Sequence, residues 1–211
     1  MTVDRRPLAC RDTRWANALA THLARKGVSP NSISIAGLVA GVAAGVLFAG
    51  TYRVSSETQH VFWLTGAVCV QLRLLANLLD GMVALASERT SKLGELFNEL
   101  PDRISDAVIL IGLGYAKGGV PELGFLAAIA ALLTAYVRAW GKSVGTPQVF
   151  AGPMAKQHRM ACVTVAAVVC AVLPAEAVES YSVAGWAIGL CFVGALVTAV
   201  RRVIIIVGHL W

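Results

Sequence analysis

The stretch NLLDGMVALASERTSKLGELFNELPDRISD, from Asn77 to Asp106, places Asp80, Glu95, Glu99, Asp102 and Asp106 beside two asparagines, Asn77 and Asn98, in or next to long apolar runs. Carboxylates so concentrated repel one another unless a cation neutralises them or some take up protons. Oxygen ligands on helices suit a hard divalent ion, Mg2+ or Mn2+, which keeps water or a substrate phosphate as its remaining ligands. Ionisable groups inside a membrane span are functional candidates by default. The alternative is a set of structural ion pairs with Arg73, Arg103, Arg89 and Lys92. For Glu88, Arg89 and Glu95 taken singly, that plainer reading is the better one.

These residues must be carried by membrane helices. The 211 residues are 57% hydrophobic and 14% charged, with a mean hydropathy of +0.69. The apolar runs reach the length of about 20 residues that a helix needs to span a bilayer. Six spans are expected: 32–51, 61–85, 93–116, 122–140, 160–174 and 182–200. The expected class is therefore an all-α integral membrane protein with six transmembrane helices in one domain, 28–211. An N-terminal amphipathic segment, 1–27, precedes it. At 100° per residue, Arg73, Asn77, Asp80 and Ala84 share one face of the second span. Glu95, Asn98, Glu99, Asp102 and Asp106 share one face of the third. The turn SERTSK would fold these faces together into a polar pocket near one end of the bundle.

Charge sets the orientation. Fourteen of the 18 Lys and Arg residues fall in the N-terminal segment, the second and fourth loops and the tail, and only Arg53 and Lys117 fall on the opposite side. That bias puts both termini in the cytoplasm, in an inner (cytoplasmic) membrane. It also accounts for the net charge of +6 without nucleic acid, since no basic patch interleaved with aromatics accompanies it. No cleavable signal peptide is expected, because a basic polar segment precedes the first apolar run. In that segment Trp15, Leu19, His22 and Leu23 recur at helical spacing, as in an amphipathic helix lying on the cytoplasmic leaflet. Gly27 suits its end, and Ser29-Pro30 suits a cap and first-turn proline for the next helix. Cys10, Cys69, Cys162, Cys170 and Cys191 show no metal-type spacing and read as small apolar residues. Gly37, Gly41 and Gly45 lie on one face of the first span and permit close helix approach, within the chain in preference to between copies.

The central stretch resembles the signature of the CDP-alcohol phosphatidyltransferases, D-x2-D-G-x2-A-R-x8-G-x3-D-x3-D. Here it reads Asn77-x2-Asp80-Gly81-x2-Ala84-Leu85-x8-Gly94-x3-Asn98-x3-Asp102, with every spacing kept. The SPNSIS entry to the first span, with Asn31, is similar to the family's Pro-Asn helix start. The resemblance implies transfer of a phosphatidyl or related phosphoalcohol group from a CDP-linked donor, such as CDP-diacylglycerol, to a polar alcohol with release of CMP. It implies a homodimer and Mg2+ or Mn2+ held by Asp80, Asp102, Asn77, Asn98 and Asp106. Asn31, Asn77, Asp80, Gly81, Ala84 and Gly94 would receive the CDP group. Asp102 would accept the proton of the attacking hydroxyl, and the metal would stabilise charge on the transferring phosphate.

Three departures qualify the match. Asn77 and Asn98 ligate only through amide oxygens, and the two lost charges weaken the expected metal binding, so one ion and two both stay open. Asp106 or Glu99 would supply a compensating carboxylate. Leu85 replaces the signature arginine, and Arg73 or Arg89 would take over its phosphate contact. The fourth loop and its edges carry Arg138, Lys142, Lys156, His158 and Arg159. Resemblance makes Arg138, Lys156 and Arg159 the binders of an acceptor phosphate, a task that suits guanidinium and ammonium groups. Arg201 and Arg202 read as an anchor at the lipid headgroups. Two other classes compete with the enzyme: an inactive scaffold derived from the same family, and an ion or proton transporter using intramembrane carboxylates.

Overall fold

A computed structural model describes residues 13–87 and 92–211, apart from the side chains of 92–95 and 98. Eight helices are described: α1 (Arg14–Arg25), α2 (Pro30–Gly50), α3 (Ser56–Ala86), α4 (Lys92–Gly114), α5 (Pro121–Ser143), α6 (Lys156–Val172), α7 (Ala175–Ser180) and α8 (Val183–Leu210). Local chemistry sets several starts. Ser29 caps α2 by accepting the Ser32 N–H at 3.1 Å, with Pro30 in the first turn. Ser55 caps α3 through the Thr58 N–H at 3.4 Å. Pro121 opens α5.

Among the described residues four segments are long and apolar enough to cross a membrane: Pro30–Gly50, Ser56–Ala86, Pro121–Ser143 and Ala175–Leu210, the last combining α7 and α8. Four of the six expected spans thus meet the criterion of length and composition among the described residues. α4 carries Glu99, Asp102, Arg103 and Asp106 within it, and α6 has only 17 residues. The outward faces of the apolar segments are themselves apolar, with Val46 at 65% and Trp186 at 78% exposure, as lipid contact requires. This is a helical membrane protein.

α2 packs on α3 and α4, α5 on α4 and α8, and α3 and α8 on α6. Their shared core includes Phe48, Trp63, Leu110, Leu113, Met160 and Ile188. The glycine face of α2 is spent inside the chain. A Cβ on Gly41 would meet Ser105 Cβ of α4 at 2.5 Å, and one on Gly37 would meet Ala76 Cβ of α3 at 2.9 Å. Hydrogen at Gly41 lets α4 approach α2 closely, as hydrogen at Gly37 lets α3, and so the two faces are brought together.

α1 packs against α3. Ala16 and Ala20 are buried against Leu79, Met82 and Val83 of α3, with Leu19 and Leu23 packed beside them. The apolar stripe of α1 thus covers the end of α3 that carries the signature, while Trp15 remains 54% exposed.

Candidate active site between α3 and α4

Arg73, Asn77 and Asp80 follow one another along α3, one turn apart, and face Asp102 and Ser105 of α4. Together with Ser34 of α2 they line a cavity of about 10 Å³, roughly the space of one water. Pro101 lies in the same wall. Having no N–H, it leaves the carbonyl one turn earlier in α4 without its helical donor.

Asp80 is buried, with 3% exposure. Its carboxylate accepts the Ser34 hydroxyl at 2.7 Å and the Gly81 N–H at 2.6 Å, and among the described residues it has no ion-pair partner. A buried carboxylate with no directly paired cation is costly.

Asp102 and Asp106 are placed differently. Arg73 Nη2 donates to Asp102 Oδ1 and to Asp106 Oδ1, each at 2.5 Å, and to the Asp102 carbonyl at 3.0 Å; its Nε donates to Ser105 Oγ at 3.0 Å. Arg159 Nη2 reaches the other oxygen of Asp106 at 3.1 Å. Lys156 Nζ bridges Asn77 Oδ1 at 2.5 Å and Asp102 Oδ1 at 2.6 Å. Asn77 Nδ2 donates to Asp102 Oδ1 at 3.2 Å, and Arg103 Nη1 stands 3.3 Å from Asp102 Oδ2. The charges expected to need an external cation are therefore matched by the chain's own Arg73, Lys156 and Arg159. Nη1 of Arg73 and Nε of Arg159 are buried without acceptors among the described residues.

The remaining expected residues divide. Glu99 turns outward to Arg103 and to Arg138, whose Nη2 lies 2.8 Å away. Arg138 also stands 5.8 Å from the Phe150 ring centre. It therefore forms a separate outer pair, whereas Lys156 and Arg159 join the aspartates. Gly81 is buried beside Asp80, Ala84 and Asn31 are half-buried, and Leu85 is 55% exposed. Arg89 and the side chains of Gly94, Glu95 and Asn98 lie outside the described residues. Arg202 is a correction. It is buried, donating from Nε to the Ala151 carbonyl at 3.0 Å and from Nη1 to the Thr134 carbonyl at 2.6 Å, so it joins α8 to α5 and the loop before α6. Arg201, one residue earlier and 100° around the helix, is exposed. Ser34 and Ser105 went unremarked in the sequence, where a serine in an apolar helix is the only trace.

A divalent ion fits this donor set. Asp80 and Asp102 supply carboxylates and Asn77 an amide oxygen around one small cavity, all hard ligands from rigid helices. Among the described residues no three of His, Cys, Asp and Glu gather as ligands, so the set is thin in charge.

The profile of the CDP-alcohol phosphatidyltransferases matches residues 27–200, most of the chain and all of this site. The chain belongs to that family. The family is one of membrane enzymes that transfer a phosphoalcohol group from a CDP-linked donor. The phosphatidylinositol phosphate synthase of Streptomyces avermitilis is 30% identical over 204 residues, covering 91% of this chain and 78% of the relative. The phosphatidylinositol phosphate synthase of Mycobacterium tuberculosis with CDP-DAG bound superposes with a TM-score of 0.74 over 92% of this chain and 94% of that one, at 21% identity. The same synthase in complex with manganese and citrate gives 0.73 over 90% and 88%, also at 21% identity. At that identity the likeness speaks for the fold.

Proposed function

We propose that this family member transfers a phosphatidyl group from CDP-diacylglycerol to a phosphorylated polyol of the inositol phosphate type, releasing CMP, with Mg2+ or Mn2+ bound by Asp80, Asp102 and Asn77. The observation that carries this reading is the convergence of Lys156 and Arg159 on the signature aspartates. Cations from the start of α6 meet the transfer site itself, where an acceptor bearing its own phosphate would need them. The names of the relatives favour the same acceptor class. Asn98 and Asp106 complete the proposed ligand positions, although Asp106 is held between two arginines.

When bound, the ion would stabilise negative charge on the diphosphate and the departing CMP. The chain's own groups do the rest. The Asp102 carboxylate takes the proton of the acceptor hydroxyl as that hydroxyl's oxygen attacks the phosphorus carrying the diacylglycerol, and the bond to CMP breaks. Arg73 holds Asp102 through Nη2, and its Nη1, without an acceptor among the described residues, would be the donor for a phosphate oxygen in place of the signature arginine lost at Leu85. Asn31, Gly81, Ala84 and Gly94 border the nucleotide. Arg138 stands at the outer rim to guide the acceptor. The proposal includes six membrane crossings by 28–211, with α1 docked beneath, both termini cytoplasmic in the inner membrane, and a homodimer.

The test is CMP release by purified protein with CDP-diacylglycerol and Mn2+ or Mg2+, across inositol phosphate, inositol, glycerol phosphate and serine. Release is expected with inositol phosphate, to require metal, and to be lost in Asp80→Asn and Asp102→Asn. Release with unphosphorylated inositol at an equal rate would overturn the acceptor assignment. No release with any acceptor, from folded protein, would overturn the activity.

A further inference from the structure

Lys156 does more at this site than one acceptor ligand requires. Its ammonium lies between Asn77 Oδ1 and Asp102 Oδ1, both on residues proposed to hold a divalent ion. Asp102 and Asp106 are already matched by Arg73, Lys156 and Arg159, and by the more distant Arg103. A divalent ion entering alone would unbalance them and would meet an ammonium on its own ligand. A diphosphate arriving with the ion restores neutrality and offers the ammonium a new partner.

The three cations also differ in freedom. Arg73 is fixed by Ser105 and the Asp102 carbonyl, and Arg159 by the Met154 carbonyl at 3.0 Å. The side chains of both are 2% exposed. Lys156 has a 19% exposed side chain at the first position of α6, with Asn77 and Asp102 as its hydrogen-bond partners. It is the one of the three that can swing aside on its four-carbon stem.

We propose that Lys156 is the site's resident cation: its ammonium holds the Asn77–Asp102 edge neutral, so a divalent ion is taken up together with the diphosphate of the CDP-linked donor and not ahead of it. This rests on the functional reading above, and it makes ion and donor binding mutually dependent. By linkage each must strengthen the other by the same factor.

The experiment counts Mn2+ bound to protein in nanodiscs by electron paramagnetic resonance, with and without saturating CDP, against protein-free Mn2+–CDP. For the wild type, CDP is expected to tighten Mn2+ binding at least tenfold. Lys156→Met is expected to bind Mn2+ without CDP at least tenfold tighter than wild type, with CDP then adding threefold or less. Lys156→Arg is expected to keep the wild-type dependence. Lys156→Gln carries the same expectation as Lys156→Met should that variant fail to fold. Equal Mn2+ affinity with and without CDP in the wild type, or a Lys156→Met affinity equal to wild type, overturns the role of Lys156. In that case Mn2+ binding that Asp80→Asn removes leaves the functional reading standing. Absence of bound Mn2+ from every folded variant, with or without CDP, overturns both.

Discussion

Arg73 offers the sharpest test of how the site is held. It is 1% exposed and ties Asp102 to Asp106 with two 2.5 Å contacts. Arg73→Met keeps much of the volume and removes the charge. Asp106 is then left to Arg159, and Asp102 to Lys156 and the more distant Arg103. Removing one partner from a buried ion pair costs about 3–5 kcal/mol. At roughly 2–4 °C per kcal/mol for a chain of this size, that is a fall in Tm of roughly 6–20 °C. Unfolding in detergent can be followed with a thiol-reactive dye, because Cys170 and Cys191 are buried and become reactive only when the core opens. A fall under about 2 °C on that scale would refute the claim that Arg73 neutralises the pair.

Asp80→Asn is expected to leave Tm unchanged or raised, since it removes a buried carboxylate that has no ion-pair partner among the described residues, while abolishing Mn2+ binding in the resonance assay. Arg202→Met loses two charge-assisted hydrogen bonds and is expected to destabilise by about 2–4 kcal/mol, whereas Arg201→Met on the exposed side changes stability by less than about 0.5 kcal/mol in the same melts. Gly41→Ala forces a Cβ onto Ser105 and is expected to cost about 1–3 kcal/mol, while Gly189→Ala, with nothing within 4 Å, is neutral or slightly stabilising.

Much of this was legible in the sequence because it depends on spacing along one helix. Residues 73, 77 and 80 must share a face of α3, and 102 and 106 a face of α4, whatever the rest of the chain does. The Ser29-Pro30 start and the glycine face of α2 were readable for the same local reason. The reading failed where identity along the chain does not determine a partner. Arg201 and Arg202 look alike in sequence, yet the helical rotation between them sends one outward and the other into the α5 carbonyls. The apolar stripe of α1 fits a leaflet as well as it fits Leu79 and Val83, and only the fold puts the end of α3 within its reach.

The sequence by itself determined the helical membrane class, the family and the oxygen ligands available, since these follow from composition and from residues a few turns apart. The tertiary structure decided which charges meet. Lys156 and Arg159 lie some fifty residues beyond the aspartates they neutralise. Their pairing depends on α3 and α8 packing against α6, a matter of shape that no local pattern records. Whether a carboxylate is left with hydrogen bonds alone, as Asp80 is among the described residues, or is matched by cations, as Asp106 is, rests on which cation the fold brings within about 3 Å.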